Sequence, residues 1–522
     1  MEHRVASGDE LPEGRLLEVD AGGKKVLLLR QDGVLRAYGA RCPHYDAPLA
    51  HGLLHDGRLV CPWHQGTFDA RTGDLLEPPP LAGLTALAVR VDADGDVLVD
   101  RPDDAPRQRT MPMATRADDD PRTFCVVGGG AAGAAAVEAL RQHGFTGRIV
   151  LVDREGRRPY DRPNLSKDYL AGTAVADWLP LRPASFYERY GIELLTAEVR
   201  ELDAATRRLE LGDGTVLTPD AVLIATGGLA RTLDVAGADL PGVHTLRSWS
   251  DCDAVVASLE GAAQAVVVGA SFIAMEGAAS LRERGLEVTV VAPEAVPLER
   301  QLGAAIGGFL RRRHEEHGVR FLLGHTVARF AGDEGVREVA LDDGSRLTAG
   351  VVLVGVGVRP ATDFVANAAV NADGSLDVDA ELRLNDRGVW AAGDVARYPE
   401  SHVGDRVRIE HWRLAEQLGR AAAASMAGHG GPFTAVPAFW TQQFGLRLPF
   451  VGVAGAWDDT VVLGDLPGGD FTVAFARGGR LVAAAGTRDL DLAAFVELMR
   501  TDHLPTPERL RAAGDGALTG LL

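Results

Sequence analysis

Two short boxes hold the residue types best able to do chemistry. Cys42-Pro43-His44 is followed, after 16 residues, by Cys61-Pro62-Trp63-His64. Each sets one thiol beside one imidazole, and two such pairs suit two loops closing on one metal centre. A structural zinc ion accepts the same four donors, but its usual grammar is a Cys pair followed by a His pair on a helix. One thiolate and one imidazole per box fit a two-iron cluster better: one iron takes two Cys, the other two His, and neutral imidazoles raise the potential relative to four-Cys ligation. His51 and His55 lie between the boxes without a Cys at the required spacing, and read as loop side chains. His314-Glu315-Glu316-His317 lacks the HExxH order and reads as a solvated helix end before Gly318.

A second kind of chemistry needs glycine. In FCVVGGGAAG a buried-strand run enters Gly128-x-Gly130-x-x-Gly133 and then a helical pattern, and Asp153 stands 20 residues beyond the third glycine. Glycines permit the tight turn and the close approach of backbone N–H groups to a pyrophosphate, while the acid suits a ribose hydroxyl. A second unit, Gly269-Ala270-Ser271-Phe272-Ile273-Ala274, has Ser and Ala where two glycines would stand. Small residues there also serve close helix–strand packing. Two such units in one chain point to a flavin plus a nicotinamide. Ala292, the equivalent of Asp153, is neither an acid nor an Arg; Glu294 nearby and the lack of a basic cluster for a 2′-phosphate favour NADH over NADPH.

The elements that position these residues follow from texture. Residues 1–102 show short strand-like runs (Lys25 to Arg30, Gly33 to Tyr38, Arg58 to Cys61, Leu84 to Val91, Val97 to Val99) and no convincing amphipathic helix, which predicts a small all-β domain. Residues 103–121 lie in a Pro-, Asp- and Arg-rich stretch expected to be a solvated linker. With a reach of roughly 26 Å, it would keep the two ends together at an effective concentration on the order of millimolar. Buried-strand runs alternating with helical patterns then predict Rossmann-like α/β units: 122–245 for the first dinucleotide, 246–364 for the second, and 365–430 returning to the first. Residues 431–522 read as an α+β domain, with strands near Phe450 to Val453, Val461 to Leu463, Phe471 to Ala476 and Leu481 to Ala485, then a helix from Leu492 to Arg500.

Composition excludes several classes. A chain of 522 residues suggests three or four domains. Its 73 acidic against 54 basic residues give a net charge of −19, which argues against nucleic acid and anionic lipid. No apolar run is long enough to span a membrane, and the start, Met-Glu-His-Arg, lacks a secretory signal, so a cytoplasmic protein is expected. Four cysteines (Cys42, Cys61, Cys125, Cys252) with no Cys-x-x-Cys pair exclude a disulfide framework and a redox-active dithiol.

The residues after the two boxes, Tyr45 to Leu49 and Gly66-Thr67, resemble the Rieske family, and the absence of a second Cys in each loop points to its lower-potential ferredoxin type. Further matches are Pro159-Tyr160-Asp161-Arg162-Pro163-Asn164-Leu165-Ser166-Lys167, Ala225-Thr226-Gly227-Gly228, Ala392-Gly393-Asp394 and Glu410-His411-Trp412. On these, residues 123 to about 510 resemble the FAD-dependent ferredoxin reductases of oxygenase systems, and the whole chain resembles the apoptosis-inducing factor-like (type 3) oxidoreductases. The resemblance implies a pyridine nucleotide-disulfide oxidoreductase fold. It also implies FAD contacts at Arg162, Lys167, Val199, Ala225, Thr226, Gly227, Arg247, Asp394 and Trp412, with Trp440 near the flavin ring. Lys167 would pair with Glu276 beside the flavin, and Gly357 would line the nicotinamide pocket. Counting back from Pro159-Tyr160, the family's ribose acid falls on Arg154, which leaves the role to Asp153 or Glu155.

The expected activity is electron transfer from NADH through FAD to the chain's own [2Fe–2S] cluster and on to an unidentified acceptor protein such as an oxygenase, by a monomer or homodimer. Two rivals stand beside it. One is a nitrite-reductase-like enzyme, for which no further Cys cluster exists; the other is a redox sensor whose slow reduction changes its conformation or partners.

Overall fold

Four consecutive apolar residues in the strand Lys25–Gln31 (KVLLLRQ) organise the first unit. Successive side chains of a strand point to opposite faces. Val26 and Leu28 accordingly pack with Val97 and Val99, whereas Leu27 and Leu29 pack with Leu49, Leu59, Phe68 and the two box cysteines. The strand belongs to a six-stranded antiparallel sheet in the order Glu2–Ser7, Asp96–Asp100, Ala86–Val91, Val34–Gly39, Lys25–Gln31, Leu16–Asp20. Its second face carries a smaller four-stranded sheet of Leu53–His55, Arg58–Val60, Thr67–Asp69 and Leu75–Glu77. The second Cys/His box is the loop between the middle two of these strands. The computed structural model describes residues 2–453 and 455–522.

The fully apolar runs beyond residue 122 become parallel strands covered on both faces. The first sheet runs Ile192–Thr196, Arg148–Asp153, Thr123–Val127, Ala221–Ile224 and Val389–Ala391, with Arg383–Asn385 antiparallel at the edge. The second runs Val243–Thr245, Val351–Val354, Gln264–Val268, Glu287–Ala292, Arg320–Leu323. In each, a helix follows the strand that ends in the glycine turn: Ala131–Gln142 in the first, Phe272–Glu283 in the second. Helix Trp412–Met426 lies on the first of these helices at backbone contact, because a Cβ at Gly419 would stand 2.1 Å from the Ala132 carbonyl oxygen. The C-terminal unit is an antiparallel sheet (Ala438–Gln443, Leu446–Gly452, Arg480–Gly486, Asp470–Arg477, Asp459–Asp465) backed by helix Asp489–Arg500. Its first strand was not foreseen. No helix among the described residues is long and apolar enough to cross a membrane.

Two expectations need correction. The 103–121 stretch is not a free tether: Arg109 pairs with Gly83, Ala114 N–H donates to Arg141 O at 2.8 Å, and Ala117 N–H to Thr146 O at 2.9 Å. Met111 packs on the first unit's core and Met113 on that of the flavin-type unit. Two isolated Met side chains and backbone donors suffice to pin a segment whose composition reads as solvated. His314, expected at a solvated helix end, is fully buried; its Nε2 lies 2.8 Å from Gln443 Oε1 and its ring packs edge-on against Phe444.

Candidate functional site

The two boxes fold as matching loops. Cys42 N–H donates to Ala47 O and Cys61 N–H to Gly66 O, each at 2.9 Å. Each loop turns through a left-handed residue four positions after its cysteine, Asp46 (φ 61°) and Gln65 (φ 57°). Both thiols are 1% exposed. They face one another: the bond that the Cys42 thiol donates to Cys61, together with burial, pushes Cys42 well up, whereas at Cys61 burial is outweighed by accepting that bond and by the backbone donors Trp63 and His64, which leaves Cys61 the readier thiolate. His44 and His64 bring their Nδ1 atoms to 3.2 Å of each other. Burial holds His44 neutral, down to about 3, and burial with the nearby His44 and Arg447 does the same for His64. Among the described residues the only three His, Cys, Asp or Glu ligand atoms gathered within 4.8 Å are those of His325, Asp342 and Asp343. The thiols and imidazoles therefore do not close on one ion; they stand as a sulfur pair and a nitrogen pair, which fits one iron each of a [2Fe–2S] cluster.

Three glycines of the first turn have three separate reasons. Gly128 takes φ 105°, and a Cβ there would meet Ala225 O at 2.4 Å. Gly133 packs helix Ala131–Gln142 on the turn, with a Cβ only 1.8 Å from Gly128 O. At Gly130 a Cβ meets nothing within 4 Å, which leaves open space over the helix N-terminus for a pyrophosphate. Asp153 Oδ2 accepts from Gly129 N–H at 2.7 Å and its Oδ1 from Glu155 N–H at 2.7 Å, so Asp153 stands at the mouth of the turn. Glu155 turns instead to Tyr160 OH (2.6 Å) and Arg162 Nη2 (2.9 Å).

Around the remaining flavin side, Arg162 Nη1 donates to Arg247 O at 2.6 Å and Arg247 Nη2 to Asp394 Oδ2 at 2.8 Å. Gly227 (φ 65°) lies under that pair, next to Thr226, whose Oγ1 donates to Ala361 O at 2.7 Å. Val199 opens the strand Val199–Asp203, apart from this cluster of polar contacts, and Ala225 is buried at the end of a central strand. Trp412 begins helix Trp412–Met426 after His411, which burial holds neutral, down to about 4, and which stacks on Phe439.

Glu276 joins three units. Its Oε2 accepts from Lys167 Nζ at 2.7 Å and Ser166 Oγ at 2.5 Å; its Oε1 accepts from Thr441 Oγ1 at 2.7 Å and Gln442 N–H at 3.3 Å. On the same helix, Ser271 caps the N-terminus, accepting from Ala274 N–H and donating to Gly355 O at 2.7 Å. Gly269 takes φ 99° with Gly355 O 2.6 Å from a would-be Cβ, and Gly357 takes φ 103° with nothing closer than Arg231 at 4.0 Å. Glu294 Oε2 is buried with no hydrogen-bond partner. An orphaned acceptor just past the strand Glu287–Ala292 suits a ribose hydroxyl.

Trp440 connects the halves. Its ring centroid lies 4.2 Å from that of His64 and 6.2 Å from that of His44. Sequence reading missed the docking contacts around it. Tyr45, next to His44, donates its hydroxyl to Asp161, and Arg413, next to Trp412, donates to Glu77 Oε2 at 2.6 Å. Asp161 sits inside a recognised motif and Arg413 directly follows one, but nothing in those motifs names their partners.

The pyridine nucleotide-disulphide oxidoreductase family matches residues 122–419, the Rieske [2Fe-2S] domain residues 1–88, and the reductase C-terminal family residues 438–514. The chain is 36% identical to human apoptosis-inducing factor 3 over 93% of its own length and 81% of that protein's. It is 35% identical to rhodocoxin reductase of Rhodococcus erythropolis over 74% and 91%. The solved covalent complex of putidaredoxin reductase with putidaredoxin superposes with a TM-score of 0.73 at 30% identity, covering 77% of this chain and 98% of that one. The chain is thus an FAD-dependent NAD(P)H oxidoreductase of ferredoxin-reductase type, carrying its own Rieske [2Fe–2S] domain. It belongs to the apoptosis-inducing factor-like branch of the pyridine nucleotide-disulphide oxidoreductases.

Proposed function

We propose that this protein takes electrons from NADH, passes them internally from FAD to the cluster held by Cys42, His44, Cys61 and His64, and delivers them to an external acceptor protein such as an oxygenase in the cytoplasm. FAD, when bound, supplies the conversion between the electron pair of a nicotinamide and the single electrons of an iron–sulfur cluster. The observation that carries the reading is the continuity of packed residues. His64 lies against Trp440, Thr441 follows Trp440 in the chain, and Thr441 holds Glu276, which holds Lys167.

In this reading Lys167 places a positive charge beside the flavin, and Glu276 fixes its Nζ. Gly128, Gly130, Gly133 and Asp153 hold the pyrophosphate and ribose of FAD, while Glu155 orients Arg162. Val199, Ala225, Thr226, Gly227, Arg247, Asp394 and Trp412 complete the flavin side. Gly269, Ser271 and Ala274 shape the nicotinamide turn, Gly357 lines its far wall, and Glu294 takes a ribose hydroxyl and repels a 2′-phosphate.

Cys61→Ser tests the order of transfer, since it removes a cluster ligand from a domain separate from the glycine turns. The FAD-loaded variant should still bleach its flavin with NADH at nearly the normal rate while reduction of a cluster-dependent acceptor collapses. Loss of flavin bleaching in the folded variant refutes the order. A wild-type flavin that stays reduced beside an oxidised cluster supports a sensor instead.

A further inference from the structure

We infer that Arg413 is the positioning residue that holds the cluster-bearing loops against the flavin-side helix, and that it sets how fast electrons pass between the two cofactor sites. The inference rests on the internal route proposed above. Arg413 is the second residue of helix Trp412–Met426 and is 1% exposed. A cation in the first turn opposes the helix macrodipole, so helix energetics alone give no reason for it. Its partners do. Nε donates to Pro78 O at 2.9 Å, and Nη2 donates to Gln65 O at 3.1 Å and to Glu77 Oε2 at 2.6 Å. All three belong to the Rieske domain; Nη1 reaches Val436 O at 3.5 Å.

A buried guanidinium is tolerated only when its donors are met, and the planar fork meets several acceptors at fixed angles where an ammonium would not. Glu77 is itself gripped by Arg58 Nη2 at 2.6 Å and Gln417 Nε2 at 2.6 Å. Should the Rieske domain move away, Arg413 would lose every hydrogen-bond partner but the Val436 carbonyl, keeping only the nearby charge of Glu416 on its own helix. The docked arrangement is thereby favoured over any other.

The placement of the fork gives it consequence for transfer. Gln65 follows His64 directly, in the strained left-handed turn of the second box, and Thr67 Oγ1 also donates to its carbonyl at 3.1 Å. Trp412 precedes Arg413 directly. One peptide link, the Arg413 side chain with its hydrogen bond to Gln65 O, and one more peptide link therefore join Trp412 to His64. Arg413 touches neither cofactor; it acts through the loop it holds.

The test uses the full chain loaded with FAD and cluster, mixed anaerobically with NADH while flavin and cluster absorbance are followed separately. Arg413→Gln should bleach its flavin at the wild-type rate and reduce its cluster at least about tenfold more slowly. Its cluster EPR spectrum should be unchanged, which shows the ligands intact. Arg413→Lys, which keeps the charge without the fork, should fall between. Glu77→Gln should reproduce the slow cluster step from the other side of the interface, and it carries the test if Arg413→Gln does not fold. Wild-type cluster reduction in Arg413→Gln or Glu77→Gln overturns the inference, as does equal slowing of flavin bleaching. If the wild-type cluster itself stays oxidised, the internal route falls and this inference with it.

Discussion

Replacing Glu276 by Gln probes the junction of the three catalytic units with almost no change in shape. The carboxylate is 3% exposed and receives four hydrogen bonds, two on each oxygen. Gln presents an amide NH₂ to one of those donor pairs, so two bonds to a charged acceptor are lost and two donors are left facing a third. At roughly 1.5–3 kcal/mol for each charge-assisted bond, the loss is about 3 kcal/mol at the low end. It falls on Lys167, whose ammonium remains buried without its counter-ion. If that loss appears in the placement of Lys167 against the flavin, flavin reduction by NADH slows by about 10²-fold. Stopped-flow bleaching of FAD-loaded protein measures it, and Lys167→Ala with the double variant completes a cycle. The double variant should be no slower than the worse single one, because both act on one ion pair. Additive losses, or a wild-type rate in Glu276→Gln, refute the coupling.

Three further outcomes follow from the same geometry. Gly133→Ala should abolish FAD retention on purification, because its Cβ would stand 1.8 Å from Gly128 O, backbone that cannot yield; an FAD-loaded Gly133→Ala protein refutes this. Glu294→Arg should raise kcat/KM for NADPH over NADH by about tenfold or more, since a guanidinium would replace an unpaired buried acceptor where a 2′-phosphate would lie; an unchanged ratio places the ribose elsewhere. Glu77 gives a pH dependence with a definite sign. Burial raises its carboxyl, but the Arg413 and Arg58 guanidiniums outweigh burial and hold it below the usual 4.5. A depressed folded value stabilises above the unfolded pKa and loses that contribution as pH falls through the folded one. The melting temperature of wild-type protein should therefore exceed that of Glu77→Gln at neutral pH, and the gap should close as pH drops below 4.5; a gap that widens would reverse the sign.

What could be read from the sequence is what short-range spacing encodes. The two Cys/His boxes are local turns, and each places its thiol and imidazole by backbone geometry within seven residues. The first glycine turn likewise carries its strand, its helix and Asp153 within one βαβ unit. The contacts that bring the cofactor sites together have no such period. Tyr45 meets Asp161 across 116 residues and Arg413 meets Glu77 across 336. Arg413 looks like an exposed helix residue until its partners are known, and His314 looks solvated until Gln443 and Phe444 cover it. The 103–121 stretch misled for the same reason: backbone donors, invisible in composition, pin it to Arg141, Thr146 and Gly83.

The route of the electrons is tested most directly by a single anaerobic turnover of the wild-type protein with one equivalent of NADH, recorded at flavin and cluster wavelengths together. The expected traces show the flavin bleaching first and then giving up one of its two electrons as the cluster bleaches, so that its absorbance changes with the cluster's at one shared rate constant and the second electron stays on the flavin. Protein stripped of FAD should leave the cluster oxidised. A cluster reduced before the flavin, or reduced by NADH without FAD, contradicts the route.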